Sequence, residues 1–416
     1  MTRPDRPARE IGVLVLAVVL GMSPWFSATV VAGAMAREWG GGSAAGIWLT
    51  LGVQIGFVLG SVVSAVLLLS DRLQPRRLAA GSAALAALAT ALLVIPGMGP
   101  AGAVFLRIVV GAALAGVYPP GIKIAAGWTR ANRGLAIGML VAGTTLGSAT
   151  PHLLRLSLPL DAWRGLQLLA ALCAIVAALL FGLRVREGPF QAPSTPFDRK
   201  ALRQVARNRG VMLATGGYLG HMWELYAMWS SIGAFWTFVA MERGFAGWIA
   251  SASAFATISA GAAGCIWAGR AADRMGRSVV TIIAMTISGA CSLLIGLMLQ
   301  APFWLLLLVG LMWGAAIVAD SAQFSAAVTE LAHPDYVGTA VTMQTALGFL
   351  LTMVTILLVP SWVAWWGWRH AYMPLAIGPA LGIVAMVRLR RLERATLHGS
   401  RLPMLPDDPS HPASRV

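Results

Sequence analysis

The sequence predicts an all-α membrane protein of twelve transmembrane helices arranged as two matched six-helix bundles. Three observations predict it. Apolar stretches of bilayer-crossing length run from Ile11 to about Val387, charged residues make up only 11% of the 416, and loop landmarks recur once at a near-constant offset. A spanning helix needs ~20 apolar residues. A soluble domain carries about 25% charged residues, and a chain that is 58% hydrophobic would overfill one soluble core.

The expected spans of the first half are 11–36, 44–68, 78–97, 101–126, 134–158 and 165–184. Those of the second are 211–239, 246–269, 279–300, 303–329, 337–359 and 368–388. This divides the chain into an N-terminal tail (1–10), a first bundle (11–184), a linker (185–210), a second bundle (211–388) and a tail expected to be disordered (389–416). Arg3, Arg6 and Arg9 before an apolar run, with Ala32-Gly33-Ala34 behind it, imitate a signal peptide. The run is longer than the 7–15-residue core of such a leader, so it reads as a retained first span. One set of loops holds Arg72, Arg76, Arg77, Arg130, Arg133, Arg186, Lys200, Arg203, Arg270, Arg274 and Arg277; the other holds little beyond Arg37, Arg164, Arg243 and Arg369. Basic loops stay cytoplasmic. Both termini and the linker are therefore expected in the cytoplasm, in a bacterial-type inner membrane. The net charge of +15 follows this loop bias and does not point to nucleic acid. Cys173, Cys265 and Cys291 lie inside spans, without metal-ligand or disulfide spacing, so neither metal nor cofactor is expected.

The repeat is read from three landmarks. Ser70-Asp71-Arg72 matches Ala272-Asp273-Arg274, Arg133-Gly134 matches Val337-Gly338, and Ala162-Trp163-Arg164 matches Gly367-Trp368-Arg369. Their offsets are about 202, 204 and 205 residues, which makes each half one structural unit. Gly52, Gly56 and Gly60 on the second span, and Ala252, Ala256, Ala260 and Gly264 on the eighth, place small residues on one helix face. Such faces let backbones approach closely. They are read either as plain packing or as seams that slide when the halves rock.

Gly269-Arg270-Ala271-Ala272-Asp273-Arg274-Met275-Gly276-Arg277 resembles the loop signature G-x-x-x-D-R-x-G-R of the major facilitator superfamily. The first-half copy, around Asp71 and Arg72, lacks both glycines. Arg107-x-x-x-Gly111 is similar to the family's arginine motif on the fourth helix, and Gly143-x-x-x-Gly147-x-x-x-Pro151 loosely resembles the fifth-helix motif of its antiporters. The resemblance implies two bundles around a cavity lined by spans one, four, seven and ten, with alternating access. It also implies a cytoplasmic gate built from Asp71, Arg72, Gly269, Asp273, Arg274, Gly276 and Arg277.

Ionisable residues inside spans are costly and usually face a cavity or a partner. Arg107, Lys123, His221, Glu224 and Asp320 qualify, with Trp25, Tyr118, Tyr226 and Gln323 adding aromatic and polar surface. All lie on the helices that the resemblance puts around the cavity. At a rise of ~1.5 Å per residue, Arg107 falls at the depth of Glu224, and Lys123 at that of Asp320, so these pairs are expected. His221, one turn from Glu224, could share a proton with it. Pro119-Pro120-Gly121 should break the fourth span.

The expected function is secondary active transport of a small solute, with an organic or inorganic anion favoured by Arg107 and Lys123. Protons are the expected coupling ion, the bilayer the only other partner, and a monomer the expected state. A multidrug or metabolite efflux permease of the same fold is the alternative. A membrane enzyme or a non-transporting sensor is the reading from a different class. No H-E-x-x-H and no G-x-x-x-x-G-K-[ST] occurs, so neither zinc hydrolysis nor direct use of ATP is indicated.

Overall fold

The computed structural model describes residues 6–39, 43–129, 133–159, 162–190 and 198–399, and among these every regular element is a helix. The first half holds α1 (Arg6–Met22), α2 (Ser27–Val30), α3 (Ala32–Glu38), α4 (Ser43–Leu67), α5 (Leu69–Arg72), α6 (Pro75–Leu92), α7 (Pro100–Leu114), α8 (Tyr118–Gly127), α9 (Arg133–Leu154) and α10 (Trp163–Leu183). After α11 (Leu202–Arg207) come α12 (Arg209–Glu242), α13 (Gly247–Met275), α14 (Arg277–Leu294), α15 (Phe303–Ala319), α16 (Ser321–Leu331), α17 (Val337–His370) and α18 (Ile377–Gly399). Among the described residues eight helical stretches are long and apolar enough to cross a bilayer. The segments α1–α3, α6, α9 and α12 occupy the places of the other four expected spans.

Local sequence explains the punctuation. Pro75 and Pro100 sit in the first turns of α6 and α7, where a missing N–H costs nothing. Asn208 caps α12, its side-chain oxygen accepting from the Val211 N–H at 3.1 Å. The first span is not one helix: it breaks after Met22 and resumes as α2 and α3. The fourth span breaks between Leu114 and Tyr118, just before the prolines, and the tenth breaks at Asp320. Gly367, at φ +64°, breaks the run Val337–His370, so Trp368 and Arg369 follow a break just as Trp163 and Arg164 open α10 after Ala162. The C-terminal tail is helical where disorder was expected, from residue 389 to 399. The reason is amphipathic: Leu389 is buried, and Glu393 accepts a 3.0 Å hydrogen bond from the Ser278 hydroxyl. Residues 1–5, 191–197 and 400–416 lie outside the described residues.

The repeat is visible in packing. In the first half α4 lies on α7, α6 on α10 and on α7, and α1 on α9 and α10. In the second, α13 lies on α15, α14 on α18 and on α15, and α12 on α17 and α18. The glycines of the small-residue faces serve these contacts, whereas Ala252, Ala256 and Ala260 are only half-buried. A Cβ on Gly56 would stand 1.9 Å from the Ile108 carbonyl oxygen, and one on Gly314 would stand 1.7 Å from that of Thr257. Both seams lie within a half, so they are plain packing and not surfaces on which the halves slide.

The halves meet along α9 with α13 and along α4 with α17. At the end that carries Arg72, Arg270, Arg274 and Arg277, here the arginine-rich end, α9 and α13 touch almost backbone to backbone. A Cβ on Gly269 would lie 3.4 Å from the Gly134 carbonyl oxygen, and one on Gly138 3.2 Å from that of Cys265. The described parts of the linker are strapped to the bundles. The Phe190 N–H bonds the Gly127 carbonyl at 2.9 Å, and α11 packs on α17.

Candidate functional site

At the far end the halves diverge around a cavity of about 530 Å3. Its first-half wall carries Arg37 from α3, and His152 and Arg155 from the end of α9; its second-half wall carries Trp229 and Phe238 from α12, with Trp368 above them. The Arg155 guanidinium donates to the Val30 carbonyl at 2.9 Å, which fixes it in the wall. The His152 ring lies on Gly233 of the other half, where a Cβ would come within 2.6 Å of its Cε1.

The cavity ends on an aromatic plug drawn from both halves. Trp25, Phe26 and Phe57 of the first half meet Tyr226, Trp229 and Phe349 of the second, with centroid separations from 4.5 Å (Phe57–Phe349) to 6.2 Å (Phe26–Tyr226). Rings at such distances attract through offset and edge-on contacts. The plug exists because the first span breaks at residues 23–26, which turns Trp25 and Phe26 toward α12. Trp25 and Tyr226, both expected site residues, thus belong to one structure.

Beyond the plug, toward the arginine-rich end, α12 carries His221. Its Nδ1 stands 2.9 Å from an Asp320 carboxylate oxygen, both side chains are almost fully buried, and its Nε2 has no partner among the described residues. Asp320 occupies the break between α15 and α16. Its expected partner Lys123 is not the one seen; Lys123 sits half-buried on α8. Glu224 has its own partners: the Trp313 indole N–H donates to it at 2.7 Å and the Ser288 hydroxyl at 2.9 Å. The expected pairing of Arg107 with Glu224 is therefore absent, and no hydrogen bond joins His221 to Glu224.

Arg107 is fully buried and donates to the carbonyls of Leu49 at 3.2 Å, of Pro24 at 2.7 Å, and of Trp25. A helix that stops leaves its last carbonyls unsatisfied. The break that points Trp25 and Phe26 at the plug supplies two of these acceptors, so Arg107 is a strut for the broken first span. Gln323 also departs from expectation: it accepts from Arg277 at 2.8 Å and so belongs to the loop at the arginine-rich end. Tyr118 opens α8 beside the fourth-span break.

Of the expected gate, Arg277 forks onto Glu330 with contacts of 2.9 and 2.6 Å, within the second half. Gly276, at φ +83°, makes the turn between α13 and α14. Asp273 reaches across the halves: its carboxylate lies 3.5 Å from where a Cβ on Gly134 would be, at the start of α9. A helix start favours an anion. Gly269 supplies the close approach described above, Arg72 and Arg274 are exposed, and the Asp71 side chain lies outside the described residues. No group of metal-ligating side chains occurs among the described residues.

Sequence reasoning missed the cavity wall: His152, Arg155, Trp229 and Trp368. One signal was available. Arg37 is among the few arginines on the side where basic residues are scarce, and a charge kept against the topology rule needs another purpose.

A family model described as Major Facilitator Superfamily matches residues 13–242, more than half of the chain. The chain belongs to the Major Facilitator Superfamily. The superfamily fold extends over the second half as well, through a solved structure titled as a bacterial homolog of the human lysosomal transporter Spinster, in an inward-facing and occupied conformation. That structure is 15% identical, with a TM-score of 0.67 over 98% of this chain and 100% of the other. At that identity the likeness carries the fold alone. No curated protein matches. The chain is thus an integral membrane protein of a transporter superfamily.

Proposed function

We propose that the protein is a secondary active transporter that moves a small solute by alternating access, with protons as the coupling ion. One arrangement supports this above all: a cavity at the far end, a closed seam at the arginine-rich end, and a buried His221–Asp320 pair on the other side of the plug between them. A site reachable from one side only is what one half of an alternating cycle requires. The basic loops support a cytoplasmic arginine-rich end, in what we read as a bacterial-type inner membrane. Both termini then lie inside and the cavity faces out. A monomer suffices for this cycle; its partners are the solute, the proton and the bilayer, and no nucleic acid is involved.

Proton coupling follows from charge and burial. With one proton between them, His221 and Asp320 are either an ion pair or a neutral pair; without it, a bare carboxylate remains in a dry interior. A buried charge that loses its partner costs several kcal/mol, so loss of the proton favours whichever state admits water. The solute is small, because the cavity is of ordinary ligand size, and Arg37 in its wall favours an anion over a cation. The test is Asp320→Asn in proteoliposomes. Transport driven by an imposed proton gradient should fall to the leak level, while exchange of solute at equal pH persists. Undiminished gradient-driven transport would remove the pair from coupling.

A further inference from the structure

The outer surface of the second half carries a groove that its own packing does not fill. Two adjoining hollows, of about 380 and 580 Å3, share Ala263 and Trp267 of α13. The floor is made of small residues: Gly264, Ala284, Ala315, Ala316 and Ala319. Sequence dictates the depth. Gly264 lets α13 and α15 cross almost backbone to backbone, since a Cβ there would stand 1.9 Å from the Ala315 carbonyl oxygen. Alanines beside that crossing leave the valley above it empty. The rim is large and apolar: Trp267, Ile287 and Met312 are each more than a third exposed. An exposed apolar rim of this kind is a surface for lipid.

An apolar hollow alone would take any acyl chain, but this one ends in charge. Arg270 and Arg274 close the groove at the arginine-rich end. They stand one turn apart on one face of α13. Both are exposed, and neither makes a hydrogen bond or ion pair among the described residues. The other charges of that loop are engaged: Arg277 is held by Glu330, and Asp273 turns to Gly134 across the seam between the halves. Among the described residues no acidic side chain lines either hollow, so nothing there would receive an ammonium group. Trp267 lies one turn inward from Arg270, which suits the preference of tryptophan for the boundary between headgroups and chains. From Arg274 to Ala263 α13 rises ~16 Å, which matches half of the ~30 Å hydrocarbon core.

We propose that this groove binds one anionic phospholipid, its phosphate held by Arg270 and Arg274 and an acyl chain laid along Gly264, Ala315 and Ala316. Guanidinium groups fork onto phosphate oxygens. A zwitterionic lipid fits the same hollow but brings an ammonium group to two arginines with no acid beside them. The groove draws on α13, α14 and α15, so a bound lipid joins three helices of the second half and stabilises it. Cys265 and Gly269, which form the seam with α9, lie on the other face of α13, so the lipid leaves that seam free.

The test uses purified full-length protein in detergent with three probes: phosphatidylglycerol, phosphatidylcholine of the same acyl chains, and glycerol 3-phosphate as a headgroup without chains. Native mass spectrometry counts bound lipid, and thermal unfolding reads its effect. Phosphatidylglycerol should be retained at one molecule per chain, and glycerol 3-phosphate should not displace it. The double variant Arg270→Gln, Arg274→Gln should bind it about 25-fold more weakly, at about fivefold per basic side chain, down to the level of phosphatidylcholine. Ala263→Phe, which fills the hollow from an exposed position, should weaken both lipids. Neither arginine has a partner to lose, so without lipid the double variant should melt with the parent; added phosphatidylglycerol should raise the melting of the parent alone. Equal retention of the two lipids would overturn the assignment. So would displacement by glycerol 3-phosphate, unchanged retention in the double variant or in Ala263→Phe, or early melting of the lipid-free double variant.

Discussion

The two halves share a packing plan and differ in what they bury. In the first, Arg107 is permanently charged and tied to the carbonyls of a broken helix, and the one buried group that can exchange a proton among the described histidines and acids is His152 in the cavity wall. In the second, α12 runs unbroken from Arg209 to Glu242, and the buried ions are His221, Glu224 and Asp320, all of which can gain or lose a proton. The fourth and tenth spans break at corresponding places, yet the first of these breaks holds Ala115, Gly116 and Val117 while the second holds Asp320. Duplication supplied the scaffold twice. The chemistry differs between the copies: the rigid charge Arg107 braces the plug through the Trp25 carbonyl, and the His221–Asp320 pair lies beyond it.

The sharpest way to break this comparison is to remove the strut. Arg107→Met should cost about 3 kcal/mol or more of stability, because three carbonyls lose their donor in a dry site. Glu224→Gln, which keeps an acceptor for Trp313, should unfold close to the parent temperature. Equal melting of the two variants in detergent would show that Arg107 is no more structural than Glu224. Next in size, Gly56→Ala and Gly314→Ala should each cost about 1–3 kcal/mol, since overpacking forces backbones apart. If these seams instead slid during transport, turnover would collapse with little change in melting. The smallest effect concerns the two copies of the loop. In the first copy the positive φ falls on Leu68 (+52°), while Gln74, which stands where the second copy has Gly276 at φ +83°, keeps φ −59°. Leu68→Gly should therefore stabilise by about 1 kcal/mol and Gly276→Ala destabilise by a similar amount. The same sign for both in thermal unfolding would refute the reading of Leu68 as a strained left-handed residue.

Length, hydropathy and the repeated Asp-Arg and Trp-Arg landmarks made the architecture legible, because lipid allows only helices whose backbone is satisfied internally. The buried ions were legible for the same reason: His221, Glu224 and Asp320 stand out in apolar spans. Their partners were not. Depth along a helix can be counted from sequence, but the direction a side chain faces depends on where breaks fall. The break at residues 23–26 redirected Arg107 to carbonyls, which leave no mark in a pattern of side chains. Ser288 and Trp313, which hold Glu224, lie on spans with nothing to single them out. The cavity wall was hidden differently: His152 and Arg155 lie inside the expected fifth span and Trp368 opens the twelfth, and neither span is among those that the resemblance puts around the cavity.

The aromatic plug has a consequence for energy conservation. Its six rings hold the halves together by dispersion, so no hydrogen bond must be broken when they part, and water finds little to cling to while they touch. Among the described residues the Trp25 and Trp229 indole N–H groups of the plug have no hydrogen-bond partner, so a hydronium ion arriving from outside finds no connected wire through them. A resting carrier would then hold the electrochemical gradient without short-circuiting it, and would spend protons only when cargo separates the rings.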